Sequence, residues 1–450
     1  MKAWNSAYSR KVESEIARLQ TLGWYHSIEL PGGRVIPGIQ TLDQLRTRLS
    51  QFPVPQDLRG KRVLDIGAWD GWFSFELEKR GASVVAADAV QSERFLEARD
   101  LLGSKVEFVL SDVYDLNPAE LGHFDVILFL GVLYHLKHPL LALEKVCALA
   151  TDLVCVESYV TDDGKKTNRK PSMEFYETTE LGGQFDNWVG PNAACLLSFC
   201  RAAGFARSSL ESVLHNRAHV TCFRKWERPA GHEQAPQIVS VENSVSHNQV
   251  FAANRDEYVS LWFKSSHRKL GDSDVFPEIG GYGARPAVVA NTGGDGWHAI
   301  VKLPPGLSAG WHEVKLRTRN SSYSNIVRIG VGVPEAEWRS QGFPIGESTV
   351  KIESLVDGKT WEPNRVQIRP GASISLWVRG LPSACAARDV IVRLDGNDMP
   401  SVFVSESDSK GLRQVNAVLP AGLRAGKTSV TIAVETKVAE PVDVEIIPPR

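Results

Sequence analysis

Lys61 to Asp88 reads KRVLDIGAWDGWFSFELEKRGASVVAAD, and it restricts the fold more tightly than any other stretch of the chain. Val63 to Ile66 is an apolar run of strand length. Gly67 to Gly71 is a turn bounded by glycines, Trp72 to Lys79 carries apolar residues at helical spacing, and Ser83 to Ala87 is a second buried strand closed by the acid Asp88. Strands joined through a helix lie parallel, so this is the opening unit of a nucleotide-type α/β fold whose ligand sits at the carboxyl ends of its strands.

The residue types of the turn narrow the ligand. A loop that cradles a pyrophosphate needs several glycines, so that its N–H groups can close on the phosphates, and it avoids negative charge. Asp65-Ile66-Gly67-Ala68-Trp69-Asp70-Gly71 does the reverse, with carboxylates at 65 and 70 and a tryptophan where a second fingerprint glycine would stand. Such a loop suits a cationic ligand without phosphate. On these residues the sequence resembles the class I S-adenosylmethionine (SAM) methyltransferases, whose first motif is an acid, a glycine, three variable residues and another glycine. The resemblance implies that Asp65, Gly67, Ala68, Trp69 and Gly71 pass close to the methionine part of SAM, with Trp69 as part of its wall. It also implies that Asp88 accepts from both ribose hydroxyls, two charge-assisted bonds of roughly 1.5 to 3 kcal/mol each. An ordinary α/β core with a tight turn is the plain alternative.

The alternation continues down the chain. A helix over Glu93 to Leu102 precedes a strand at Val106 to Leu110. It ends at Ser111-Asp112-Val113, where the resemblance puts an acceptor for the adenine amino group (Asp112) and an apolar cover for the ring (Val113). Phe124 to Leu130 is apolar but for Asp125, as a central parallel strand should be, and runs into Gly131-Val132-Leu133-Tyr134-His135; Leu130 and Gly131 are expected at the cofactor. A helix over Leu140 to Ala150 and a strand over Leu153 to Tyr159 follow. Asn192 is placed to cap a helix over Ala193 to Ala203, and Ser208 to Leu214 with Ala218 to Trp226 form an antiparallel pair. The expected domain is a Rossmann-like methyltransferase domain, residues 1–227, with a mostly parallel seven-stranded sheet and an N-terminal helical cap over Ala7 to Leu22.

After that cap, Trp24, Tyr25 and His26 are either a lid over the ligand mouth or a packing arm. Together with Gly131 to His135, Glu157-Ser158 and Trp188-x-x-Pro191-Asn192, they make residues 20–225 resemble the branch containing the tRNA wobble-uridine methyltransferases that act on a 5-hydroxyuridine oxygen. One member of that branch uses carboxy-SAM, holding the extra carboxylate with cationic and tyrosine side chains. Only Tyr134 matches here, so plain SAM is the expected cofactor. Methyl transfer from a sulfonium needs alignment above all, worth roughly 7 to 11 kcal/mol, and a base only for a hydroxyl of high pKa. His135 is the candidate base or acceptor-orienting group, Tyr134 and Glu157 its candidate catalytic neighbours, and Trp188 and Asn192 candidate acceptor contacts. Each has a structural reading beside the functional one: a bonded turn, a packed ring, a capped loop. Arg169 and Lys170 are either a phosphate contact or a solvated loop.

The second half has a different texture. A linker at 228–237 leads into period-two alternation with an internal repeat. Ser260-Leu261-Trp262-Phe263 matches Ser375-Leu376-Trp377-Val378, and Leu303 to Gly310 matches Leu419 to Gly426, at an offset of about 115 residues. Two all-β sandwiches resembling immunoglobulin-like IPT/TIG modules are expected at 238–334 and 348–450, joined by a linker at 335–347. Trp262 and Trp377 are expected in their cores. Trp297, Trp311 and Tyr282 could instead stack on sugar rings, so glycan or protein are the partners considered for this half.

The formal net charge is -2, which gives no global pull toward nucleic acid or anionic lipid. The six cysteines lack C-x-x-C spacing, so core thiols and no metal are expected. No apolar run has spanning length, and the N-terminus lacks an apolar h-region, so a cytoplasmic location with no membrane partner is expected. These features favour a hydroxylated small molecule or glycan as acceptor, with tRNA as the alternative. A non-catalytic assembly protein carrying a relic methyltransferase domain is the reading of a different class.

Overall fold

The computed structural model describes residues 17–162, 170–227, 231, 233–253, 256–333, 350–381, 385–394, 397–408, 411–419, 423, 425–434 and 437–448. Most of the expected N-terminal helix, Arg169, the linker at 335–347 and, in the repeat match, residues 420–422 and 424 lie outside these residues, although 17–20 are helical. The chain divides into two units, one of Met1–Arg228 with Gly281–Arg285 and Pro304–Leu307, the other of Pro229–Gly280, Pro286–Leu303 and Ser308–Arg450.

In the first unit helix α1 (Leu42–Ser50) precedes the sheet, capped by Thr41 in a reciprocal capping box with Gln44. There follow β1 (Arg62–Ile66), α2 (Trp72–Lys79), β2 (Ser83–Asp88), α3 (Glu93–Leu102), β3 (Glu107–Leu110), β4 (Phe124–Leu130), α4 (Pro139–Leu149), β5 (Ala150–Tyr159), α5 (Ala193–Ala202), β6 (Arg207–Leu214) and β7 (Arg217–Phe223). The seven strands stand in the order β6-β7-β5-β4-β1-β2-β3. The pairs among β1 to β5 are parallel, and β7 is antiparallel to both neighbours. The strands are apolar on both faces because both are covered. Leu64, Ile66, Ile127, Phe129, Val154 and Val156 face one layer, while Val63, Val126, Leu128 and Cys155 face the other.

Register decides what arrives at the working edge. Ile66 pairs with Phe129 and Leu130 with Glu157, so β1 and β4 end at nearly one level and β5 runs two residues further, to Tyr159. Because β7 runs the opposite way, its first residue, Arg217, pairs with Tyr159 and reaches the same edge. The order reverses direction between β1 and β4, which opens a crevice there.

The second unit is strand-rich and its repeat is visible in the pairing. Gln237–Asn243 pairs with Tyr258–Lys264 through a register shift at Ile238/Ser240, and Lys351–Asp357 pairs with Ser373–Arg379 through the equivalent shift at Ile352/Ser354. Each repeat also has a short parallel pairing, Val250–Phe251 with Val327–Val331 and Arg365–Gln367 with Val442–Ile447. The expectation for the matched tryptophans fails. Val259, Leu261 and Phe263 take the buried face, so period two turns Trp262 outward, half-buried and stacked on His298 at 4.1 Å. Trp377 is half-buried likewise, against the exposed ring of Trp361 at 5.8 Å. Trp297, considered for sugar stacking, is instead buried.

Candidate functional site

A cavity of about 680 Å³ opens at the carboxyl ends of β1, β2 and β4. Its floor is the turn after β1. Gly67 has φ +75°, and a Cβ there would stand 2.2 Å from Val132 Cγ2, so only glycine lets the two strand-end loops meet. Trp69 also takes a positive φ of 50°. Its N–H donates to Asp88 Oδ2 at 2.9 Å, while Val90 N–H donates to Oδ1 at 3.0 Å. Asp88 is thus fixed by the loop it faces, and burial raises its pKa. Asp65 accepts from Ser74 Oγ at 2.6 Å. Burial, assisted by the nearby charge of Asp88, pushes its carboxyl up to about 6 despite that bond. A cationic ligand would relieve both groups.

Asp70 does something the sequence did not suggest. It does not line the cavity; it is wholly buried and binds the N-terminal segment. Its Oδ2 accepts from the N–H groups of Tyr25 at 2.7 Å and His26 at 3.1 Å, and its Oδ1 from Arg94 Nε at 2.8 Å. The charge expected to attract a cationic ligand is therefore already neutralised by Arg94. Tyr25 and His26 are held over the cavity in consequence, with the His26 ring edge-on to Phe73 at 5.6 Å.

At the far end the 3₁₀ turn Leu133–His135 presents Tyr134 and His135. His135 Nδ1 lies 3.1 Å from the Asp186 carbonyl and 3.5 Å from its carboxylate. An Nδ1–H donating to that carbonyl leaves Nε2 as the acceptor. Burial lowers the His135 pKa, with Asp186 opposing. Behind them Glu157 is buried and bound by two arginines, Arg48 from α1 and Arg217 at 3.4 Å from β7. Burial alone would raise the Glu157 pKa, but the two guanidinium groups reverse it and hold it below the usual range. Arg217 also covers the Tyr134 ring, 4.7 Å from its centre.

The expected site residues divide cleanly. Tyr25, His26, Asp65, Gly67, Trp69 and Asp88 line the cavity, as do Asp112, Val113, Leu130, Gly131, Tyr134 and His135. Six others stand behind it. Trp24 is buried and donates to the Leu19 carbonyl at 2.7 Å. Ala68 is buried, and Gly71 leaves room for Phe95, which a Cβ would meet at 2.6 Å. Glu157 serves the arginines. Trp188 donates its N–H to the Tyr134 carbonyl at 2.8 Å and carries Lys137 over its ring at 4.2 Å. Asn192 caps α5, accepting from Cys195 N–H at 2.8 Å. Arg48, Phe73 and Arg217 line the cavity without having been expected there. Arg48 reads in sequence as the solvated face of a helix, and the placement of Arg217 depends on the reversal of β7. Among the described residues no cluster of His, Cys, Asp and Glu is spaced for a metal, and no helix is long and apolar enough to cross a membrane.

Residues 39–179 match the family of the Methyltransferase domain. With the strand order and the acid-glycine turn, this defines a class I SAM-dependent methyltransferase domain, and the residues present fit SAM: braced carboxylates where a ribose and a cation would lie, and no phosphate cradle. A tRNA U34 carboxymethyltransferase of Pseudomonas paraeruginosa is 32% identical over 173 residues, 36% of this chain and 52% of that protein. The protein of the same name from Pseudomonas savastanoi pv. phaseolicola is 29% identical over 184 residues, 38% of this chain and 54% of that one. The chain thus spans about half the length of the curated relatives it matches. Among solved structures, the N-terminal domain of EvdMO1 with SAH bound is 20% identical, with a TM-score of 0.37 over 48% of this chain and 96% of that one.

Proposed function

We propose that this chain transfers a methyl group from SAM to a hydroxyl of a small molecule or glycan. The observation that carries the reading is the braced Asp88 carboxylate facing the Gly67 turn in one cavity with Asp65, Asp112 and Gly131. SAM supplies a methyl group already activated on a sulfonium. The protein then has to hold donor and acceptor in line. Asp88 binds the ribose, Asp112 and Val113 take the adenine, and Asp65 with the Gly67 turn takes the methionine end. Tyr134 and His135 face the acceptor, and the Asp186 carbonyl fixes the ring of His135. The strand-rich half, which we read as immunoglobulin-like, binds a glycan or protein partner.

A second reading follows from Arg48 and Arg217. The cationic groups that a carboxyl-bearing donor requires, not found in the sequence beside Tyr134, stand at the cavity, and the relatives are named as carboxymethyltransferases of tRNA. Incubating the protein with methyl-labelled SAM and either bulk tRNA or a cell-extract metabolite pool separates the readings. Label in the metabolite fraction is expected; label in tRNA, or transfer only when carboxy-SAM is supplied, overturns that preference.

A further inference from the structure

His26 is a buried polar residue of the cavity wall. It is 4% exposed, and its Nδ1 is shut from solvent without a hydrogen-bond partner. Yet the residue is held firmly. Its N–H is bound by Asp70 at 3.1 Å, it bridges to Gln40, and Phe73 and Tyr25 pack on its ring. Gly38 packs so close that a Cβ there would stand 2.4 Å from the His26 carbonyl carbon. Asp70 and Arg48 are the charged groups that face it, with opposite effects, and burial dominates both, leaving the ring neutral. Because Nδ1 is enclosed, Nε2 is the ring nitrogen of His26 that a substrate in the cavity can reach, and a ring fixed this firmly at a cavity wall is ready for a partner that arrives with the substrate. His135, by contrast, is more exposed and already bound to Asp186.

We propose that His26, a lid residue by its position, is the group that takes the proton of the hydroxyl being methylated. The proposal rests on the methyl-transfer reading. As the acceptor oxygen bonds to the methyl carbon, the C–S bond breaks and its electron pair returns to sulfur. The O–H proton, made acidic by the forming C–O bond, passes to His26 Nε2, with Nδ1 carrying the hydrogen of the neutral ring. One positive charge is lost at sulfur as one appears on the imidazole, so the pocket carries the same net charge throughout. The proton leaves to water once the methylated product has departed from the cavity. His135 orients the acceptor and keeps its bond to Asp186.

The test follows the ring nitrogens by NMR in the full chain with histidine labelling, SAH bound and catechol as the hydroxyl probe. The His26 ring should stay neutral down to about pH 4, and catechol should shift its unprotonated nitrogen. His26→Asn should remove that signal and slow methyl transfer to the labelled metabolite fraction about 10²-fold, with SAM affinity unchanged. If SAH binds but catechol at any concentration leaves His26 unmoved, or if His26→Asn transfers at the wild-type rate, the proposal fails alone. If SAH does not bind, the methyl-transfer reading fails and takes the proposal with it.

Discussion

Two buried groups titrate in opposite senses at this site. Asp65 has a raised pKa of about 6, so the folded protein holds that proton more tightly than the unfolded chain. The stability this contributes is full below the unfolded value near 3.8 and is lost as pH rises through about 6. A shift of about two units costs on the order of 3 kcal/mol of stability at neutral pH. His26, lowered to about 4, has the contrary sign: the unfolded chain binds the proton first, so stability falls as pH drops from 6.5 toward 4. The two slopes largely cancel between pH 4 and 6. Ligand binding uncouples them, because a sulfonium or ammonium beside Asp65 favours its ionised form. SAM affinity should therefore rise with pH up to about 6 and then level, with protons released on binding below that point. Calorimetry in buffers of different ionisation enthalpy reads this release, and Asp65→Asn should abolish it.

The elements of the first unit were readable because one periodicity argument covers each of them. Trp72–Lys79 and Glu93–Leu102 form as the spacing of their apolar residues requires, and Phe124–Leu130, apolar but for Asp125, is a central strand. What could not be read was contact between elements. Asp70 has no local partner; its donors lie forty-five residues upstream at Tyr25 and twenty-four downstream at Arg94. Asp70→Ala should strand the Arg94 guanidinium and two backbone N–H groups. A loss of about 3 kcal/mol in denaturant unfolding is expected, with faster proteolysis around residues 24–26 than elsewhere in the unit. Unchanged stability and cleavage would show that the segment is held by packing alone.

Across the whole molecule, the Rossmann-like fold of the first unit, the turn and ten of the twelve expected cavity-lining residues followed from strand ends in an α/β sheet, where ligands bind by rule. Glu157, Trp188 and Asn192 did not reach the cavity, because a polar residue at a strand or helix end has structural bonds to make as well as chemical ones. Arg48 and Arg217 went unseen for the opposite reason: only the assembled sheet order brings them together. A contact that exists only in the assembled sheet leaves no local signal in the sequence, which is why the donor could be read and the acceptor has to be inferred. The donor is the central claim, and calorimetric titration with SAM tests it most directly. Saturable binding to the wild-type chain is expected and, for Asp88→Ala, a loss of about a hundredfold or more, the worth of two charge-assisted hydrogen bonds. No binding of SAM, or equal binding to the variant, would contradict it.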